Sequence, residues 1–362
     1  MKHTRGGGPR HITRRAQAGL VALVTVAMLA ACTGADDDDG GEGSAGESPG
    51  ADGTAAVGDK WCSDVSIAAF PGGGQGTPFT NNVYNGYRAA EADLGPEVTY
   101  YFSDWNVETM VAQFREALAL EPDGMSVMGH PGDAAMGPLI DEAYEAGVQV
   151  TVVNVELPES QARHAAEGLG YVGAPNYAAG KRLAEEAVAR SGAQAGEKAF
   201  VWGLLAEAGR GERTRGIVEG FEEAGLEVVY QEIDPATNAD AQAGTPTFTG
   251  VIAANPDVSI VVTDHGALTS TAETYATAAG LAPGDVYFAG FDLGPATVDA
   301  IKSGFLNLVI DQQPFLQGYL PILQICLTQK YGFSGLFVDT AGSFVDADNV
   351  DFVEPLAVEE IR

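Results

Sequence analysis

Polar side chains stand just past the ends of apolar runs along this chain. Asp104 follows VTYYF, His130 follows GMSVM, Asn154 follows VQVTVV, Asp264 follows VSIVV and Asp292 follows DVYFAG, while Arg213 opens a helical pattern in GERTRGIVEGF. Carboxylates and amides accept or donate at neighbouring oxygens, and arginine presents a rigid fork of donors. Such a set suits a ligand rich in hydroxyls. An analogue without the hydroxyl would leave buried partners unpaired, and bonds to charged groups are about twice as strong as neutral ones. Phe79 and Trp105 would supply flat faces for C–H surface. Each residue also has an ordinary structural reading. Asp292 would cap a helix starting near Gly294. Arg213 would pair with Glu212 at the surface. Phe79 would be core, His130 a hydrogen-bonded loop residue, and Asn154, Asp264, Asp104 and Trp105 simply chain leaving a sheet.

Catalytic and metal-binding patterns are missing. The single G-x-S-x-G, GESPG (46–50), lies in a small acidic stretch with no strand-like run before it, GFSGL (332–336) lacks the spacing, and there is no H-E-x-x-H and no cysteine–histidine cluster. Gly72, Gly73, Gly74 and Gly76 with Asp104 mimic a dinucleotide fingerprint, but an aromatic, Phe79, stands where that turn needs a small residue. The sequence therefore predicts a binding protein with no catalytic residue, metal or cofactor.

The elements that must position these side chains begin with VSIAAFPGGGQGTPFTNNVYNGYRAAEADLG (65–95). It reads as a strand, a glycine-rich turn and a helix entered at Thr77-Pro78, with Phe79, Val83, Tyr87, Ala90 and Leu94 on one face. Further strand-like runs at 98–102, 124–128, 148–153, 199–205, 226–231, 258–262, 285–290 and 306–310 alternate with helical patterns, which predicts a parallel α/β fold. Ligands of open parallel sheets collect at the carboxyl ends of the strands, where the polar residues stand. LALEPDGMSVM and IAANPDVSIVV repeat one phrase, an apolar helix end, Pro-Asp and a strand. Two similarly built lobes fit that repeat better than one sheet of ten-odd strands. The polar stretches 154–176 and 311–314 are candidate crossings.

Fifty acidic residues face nineteen basic ones, for a formal net charge of −31. Such a surface repels phosphate backbones, so nucleic acid is not an expected partner. Basic residues precede an apolar run, Gly19 to Ala31, that is too short for an ordinary membrane span. LAAC (Leu29 to Cys32) resembles the lipobox of bacterial lipoprotein signals, which implies a leader over 1–31 and lipidation of Cys32. Arg14-Arg15 leaves the export route open between the general and twin-arginine systems. Residues 33–59 are small and acidic, and are expected to form a disordered tether reaching about 30 Å. Cys62 and Cys326 remain, either bridged or as two separate buried thiols.

Four stretches taken in order resemble the type I periplasmic sugar-binding proteins, the ribose- and galactose-binding group of solute receptors for ABC transporters. They are TPFTNNVYNGYRAAEADLG, GERTRGIVEGF, AGFD (Ala289 to Asp292) and VIDQQP (309–314). The resemblance spans about 64–345. It implies two Rossmann-like lobes with parallel sheets, joined by a three-segment hinge with crossings near 174, 311 and 341. The lobes would be 61–173 with 312–340 and 174–311 with 341–362, after a linker segment 32–60. The resemblance makes Phe79 the stacking aromatic, and Arg213, Asp292 and Gln312 ligand contacts. Asp264 stands where the family usually has asparagine, Asn154 where ribose binders have aspartate, and Val155 replaces their arginine. Thr77 and Thr80 replace an asparagine and a second aromatic. These departures point away from ribose itself. The implied protein is a monomeric, lipid-anchored extracytoplasmic receptor that hands a monosaccharide or polyol to an ABC permease. A receptor for a membrane sensor kinase, or for a non-sugar small molecule, uses the same lobe pair.

Overall fold

The computed structural model of the protein describes residues 60–362. The expected leader, Cys32 and the expected linker lie outside the described residues. Ten strands come in two runs of five. The first run is β1 (Ser66–Gly72), β2 (Glu97–Phe102), β3 (Gly124–Met128), β4 (Gln149–Val153) and β5 (Gly170–Gly173). The second is β6 (Lys198–Gly203), β7 (Glu227–Glu232), β8 (Val258–Thr263), β9 (Tyr287–Phe291) and β10 (Leu308–Asp311). Two short strands follow, β11 (Phe337–Asp339) and β12 (Ser343–Val345).

They build two six-stranded sheets, ordered β11-β5-β4-β3-β1-β2 and β12-β10-β9-β8-β6-β7. Within each run the order is the same, shifted by five strands. The two Pro-Asp phrases lead into β3 and β8, which hold the same place in their sheets. All pairings are parallel except that of β12 with β10.

Alternation along each strand explains how both faces are covered. Ala68 and Phe70 of β1 join one apolar cluster while Ile67 and Ala69 join another, and in β6 Phe200 and Trp202 face away from Ala199 and Val201. Each sheet is thus buried on both sides by helices, as parallel sheets require.

The chain passes between the sheets three times: after β5, after β10, and between β11 and β12. The second passage leads into the helix Pro314–Tyr331, which packs on the first sheet. Hydrogen bonds bind the passages together. Thr340 N–H donates to the Gly173 carbonyl (2.9 Å), Gln313 Nε2 to the Thr340 carbonyl (2.7 Å) and Gln317 Nε2 to Thr340 Oγ1 (3.1 Å). The stretch 154–176, read from sequence as polar loop, holds the helix Pro158–His164 and β5. GYVG is four residues with two glycines, so its strand character comes from pairing with β4 and β11 rather than from propensity.

Cys62 and Cys326 form a disulfide across a sequence separation of 264. It ties the start of the folded chain to the helix that follows the second passage. Cross-linking a loop this long removes much chain entropy from the unfolded state, in the range of about 2–5 kcal/mol. Replacing both cysteines by serine is expected to lower the melting temperature by about 5–10 °C. Calorimetry of the double variant checks this, and an unchanged midpoint would show that the bridge adds no stability.

Candidate functional site

The carboxyl ends of β1, β3, β4, β6, β8 and β9 converge where the two sheets face each other. Loops from both lobes are in contact there: a Cβ added to Gly209 would lie 3.0 Å from Val155 Cγ1 and 3.8 Å from Gly132 Cα. The lobes are closed on one another.

Gln312, on the second passage, sits at the centre. Its Oε1 accepts from Arg213 Nη2 (2.6 Å) and from Asn154 Nδ2 (3.5 Å), and its Nε2 donates to Asp292 Oδ1 (2.6 Å). One side chain therefore touches a strand end of the first lobe and two residues of the second. Asn154 also donates to Gln317 Oε1 (3.0 Å), and its carbonyl accepts from the Tyr171 hydroxyl (2.8 Å). Asn154 and Asp292 both adopt positive φ (65° and 70°), a conformation asparagine and aspartate tolerate better than most residues. It turns each strand end sharply into the cleft.

Arg213 is not a surface residue, and Glu212 pairs with Arg215 instead. Its Nε donates to Asn176 Oδ1 (3.0 Å), its Nη1 to the Asp264 carbonyl (3.1 Å), and its guanidinium carbon lies 4.3 Å from the centre of the Phe291 ring. The helix Gly211–Glu223 that carries it packs tightly on Asn176–Ser191. A Cβ on Gly180 would overlap the Arg213 carbonyl, and one on Gly216 the Tyr177 carbonyl, so glycine is required for this approach. Burial, then the charge of Arg210, push the Arg213 guanidinium below its usual pKa, with Asp292 and Asp264 acting the other way.

Asp292 does not cap the following helix, whose N-cap is Gly294 without a side-chain bond. Its carboxylate remains partly accessible, yet enough protein surrounds it that burial raises its pKa against the opposing pull of Arg213 and Gln312. Asp264 differs. It is fully buried, and its carboxylate accepts from Arg210 Nη1 (3.3 Å), Arg210 Nη2 (3.4 Å) and the Thr214 hydroxyl. Burial alone would raise its pKa, but the charges of Arg210, His265 and Arg213 bring it below the usual value. Arg210 was not singled out from sequence. The signal available was a second arginine one turn before Arg213, on an otherwise unremarkable loop.

Aromatic groups form the other wall. Phe79 is half-buried 5.8 Å from Trp105, and Trp105 lies 5.0 Å from the His130 ring. Trp105 leaves β2 with a φ of 59° and folds back over the glycine turn, where a Cβ on Gly73 would meet its ring and the Thr80 hydroxyl. The other two predicted positions are peripheral. Thr77 is exposed and donates to the Gly74 carbonyl (3.0 Å), and Asp104 is exposed beside Gly74.

Three buried polar atoms without a partner belong to residues of this site: Thr80 Oγ1, His130 Nδ1 and Asn176 Nδ2. Burial, then Arg210 and Arg213, lower the His130 pKa to about 3. It is therefore neutral near pH 7, while an unfolded histidine titrates near 6.5. Below about pH 6.5 the unfolded chain binds a proton that the folded chain refuses, so stability falls as pH drops, by up to about 1.4 kcal/mol per pH unit. The raised Asp292 carboxyl acts in the opposite direction, because its folded form takes up a proton first. A comparison of melting temperature against pH for the protein and for His130→Asn isolates the histidine. The variant is expected to lose less stability between pH 6.5 and 4.5, and parallel curves would remove His130 as a cause.

Among the described residues no group of three or more histidine, cysteine, aspartate or glutamate side chains is arranged to hold a metal ion.

Two facing, mostly parallel sheets, three passages between them and a polar cluster on the middle passage define a two-lobed binding protein. Residues 68–326 match the family described as periplasmic binding protein domain, and the chain belongs to that family. It is 26% identical over 257 residues to the xylose/arabinose-binding protein XylF of Sulfolobus acidocaldarius, covering 67% of this chain and 61% of that protein. It is 23% identical over 206 residues to a D-ribose/D-allose-binding protein of Pseudomonas aeruginosa, covering 57% of this chain and 60% of that one. The chain thus spans about three fifths of the length of the curated relatives it matches. Its fold is similar to that of a carbohydrate transporter from Acidothermus cellulolyticus solved with myo-inositol (TM-score 0.70, 23% identity, 82% of this chain and 99% of that one). A solute-binding protein of an ABC transporter from Burkholderia graminis, solved with D-arabinose, is also similar (TM-score 0.69, 22% identity, 80% and 97%). These relatives and fold neighbours are solute-binding proteins rather than enzymes.

Proposed function

We propose that the protein captures a monosaccharide or polyol between its lobes and delivers it to an ABC importer. Its two lobes, on this reading, are 61–173 with 312–340 and 174–311 with 341–362. The observation that carries the reading is Gln312, which bridges Asn154 of one lobe to Arg213 and Asp292 of the other from a passage between them. A ligand that replaces these internal hydrogen bonds with its own hydroxyls holds both lobes at once and so favours closure. Phe79 and Trp105 cover a C–H face, and Thr80, His130 and Asn176 offer hydrogen-bonding atoms that have no protein partner. Asp264 serves indirectly, holding Arg210 and the carbonyl that orients Arg213. The relatives that bind xylose, arabinose, ribose or allose, and the neighbour solved with myo-inositol, support a ligand of this class.

The leader-like run and LAAC support export and a lipid on Cys32, which would hold a monomeric receptor on the outer face of the cell membrane beside its permease. Among the described residues no helix is long and apolar enough to cross a membrane.

A thermal-shift screen against pentoses, hexoses, polyols, amino acids and nucleosides, run before and after unfolding, dialysis and refolding, tests the ligand class. A ligand at a thousand times its Kd adds about 4 kcal/mol, a rise of several degrees. A response to sugars or polyols is expected. A response confined to amino acids or nucleosides would keep the receptor and discard the sugar.

A further inference from the structure

Large apolar side chains are exposed together at one end of the first lobe. Trp61 is 39% exposed, Tyr331 63% and Phe333 57%. The Trp61 and Tyr331 rings stack at 6.0 Å, and Phe333 lies a further 6.0 Å from Tyr331. Leu336 and Phe337 follow in the chain, each 54% exposed. Single exposed hydrophobic residues are ordinary, but a contiguous run of aromatic rings marks an interaction surface.

Three observations say what covers it. The first is position. Trp61 precedes β1 and Tyr331 to Leu336 precede β11, so the run sits at the amino ends of parallel strands, the pole opposite the cleft. The second is the chain outside the described residues. It arrives at Lys60, next to Trp61, and only residues 33–59 separate the folded part from Cys32. The disulfide between Cys62 and Cys326 fixes this arrival point against the helix that ends at Tyr331. The third is charge. Residues 312–338 contain no aspartate or glutamate, and Lys330 beside Tyr331 is paired with Asp64, so the aromatic run carries little net charge in an otherwise acidic protein. Aromatic rings and lysine stems are the side chains that settle at a bilayer's headgroup level.

We infer that the Trp61–Tyr331–Phe333 surface docks on the lipid headgroup region, holding the first lobe against the bilayer with the cleft turned outward. The inference rests on the anchoring at Cys32 proposed above. One shallow aromatic contact is weak alone, and a covalent anchor on the same chain supplies the second attachment that stable binding needs. In this arrangement the receptor collects ligand facing away from the membrane and lifts off to reach the permease.

The test uses the full chain on vesicles of phosphatidylcholine and phosphatidylglycerol carrying brominated acyl chains, which quench a tryptophan that touches the bilayer. Trp202 is fully buried, so Trp61 and Trp105 are the accessible reporters among three tryptophans. Co-sedimentation with the vesicles is expected, with quenching that disappears in Trp61→Phe. In Tyr331→Ser/Phe333→Ser, quenching is expected to fall at least severalfold while sedimentation persists and the melting temperature stays unchanged. Sedimentation without quenching would overturn the docking surface and leave the anchor standing. Failure to sediment would overturn both. Quenching that survives in Trp61→Phe would overturn the assignment to this surface. A concentration-dependent dimer that the double variant abolishes would instead give the surface to a second copy of the chain. The sugar-binding reading is scored separately, because the double variant is expected to respond to ligand in the thermal-shift screen as the unaltered protein does.

Discussion

Replacing Asp292 with alanine is expected to weaken ligand binding at least a hundredfold while leaving the protein folded. A carboxylate that accepts two hydroxyl donors makes charge-assisted bonds worth about 1.5–3 kcal/mol each, so their joint loss amounts to about 3–6 kcal/mol, or about two to four decades in Kd. The effect on folding is small because two terms oppose each other. Removing a half-buried carboxylate whose pKa is raised relieves part of a desolvation cost, whereas alanine at a φ of 70° adds strain of about 1 kcal/mol. Asp292→Asn keeps a side chain that tolerates this backbone and still reaches Gln312. It is expected to fold like the unaltered protein and yet bind poorly, since only the charge is gone. Titration calorimetry with the ligand found by the thermal-shift screen measures both variants. If Asp292→Ala binds normally, Asp292 is not a ligand contact. If it unfolds while Asp292→Asn binds normally, its role is structural.

The largest loss of stability is expected from Arg210→Met. Asp264 is wholly buried, and Arg210 is the cation whose guanidinium meets its carboxylate. Removing one member of a buried pair leaves a desolvated charge and costs about 3–5 kcal/mol, a drop of about 10 °C in a domain of this size. Thr214 still donates to the carboxylate, and Arg213 reaches only the Asp264 carbonyl, so neither replaces the lost charge. Adding Asp264→Asn to Arg210→Met removes the orphaned charge and is expected to recover about half of the loss. A double-mutant cycle in urea measures the coupling. Additive effects would mean that the pair contributes nothing beyond its separate members.

Much of the architecture is legible in local patterning. Continuous apolar runs separated by helical periodicity specify parallel strands with helices on both faces, because only such sheets bury both sides of every strand. The duplicated Pro-Asp phrase marks the same point in both lobes for the same reason: an apolar helix must end before the central strand begins. The chemical type of the site is also visible, since a strand can place asparagine or aspartate at its carboxyl end without disturbing the sheet. Short elements escape. β5, β11 and β12 carry three or four residues each, and strand pairing rather than residue preference holds them in place.

Local patterning sets the class of fold and the kind of groups brought to the cleft. The packing of distant elements sets what each group does there. Asp264 and Asp292 look alike at the ends of two strands, yet one is sealed beneath Arg210 while the other keeps an accessible face beside Gln312. The two cysteines, 264 residues apart, met because the helix after the second passage returns to the first sheet. Gln312 resembles a loop residue by any local measure, and it became the centre of the site because the chain crosses between the lobes there. Long-range contacts of this kind depend on where separate elements are carried by packing, and no nearby residue records that position.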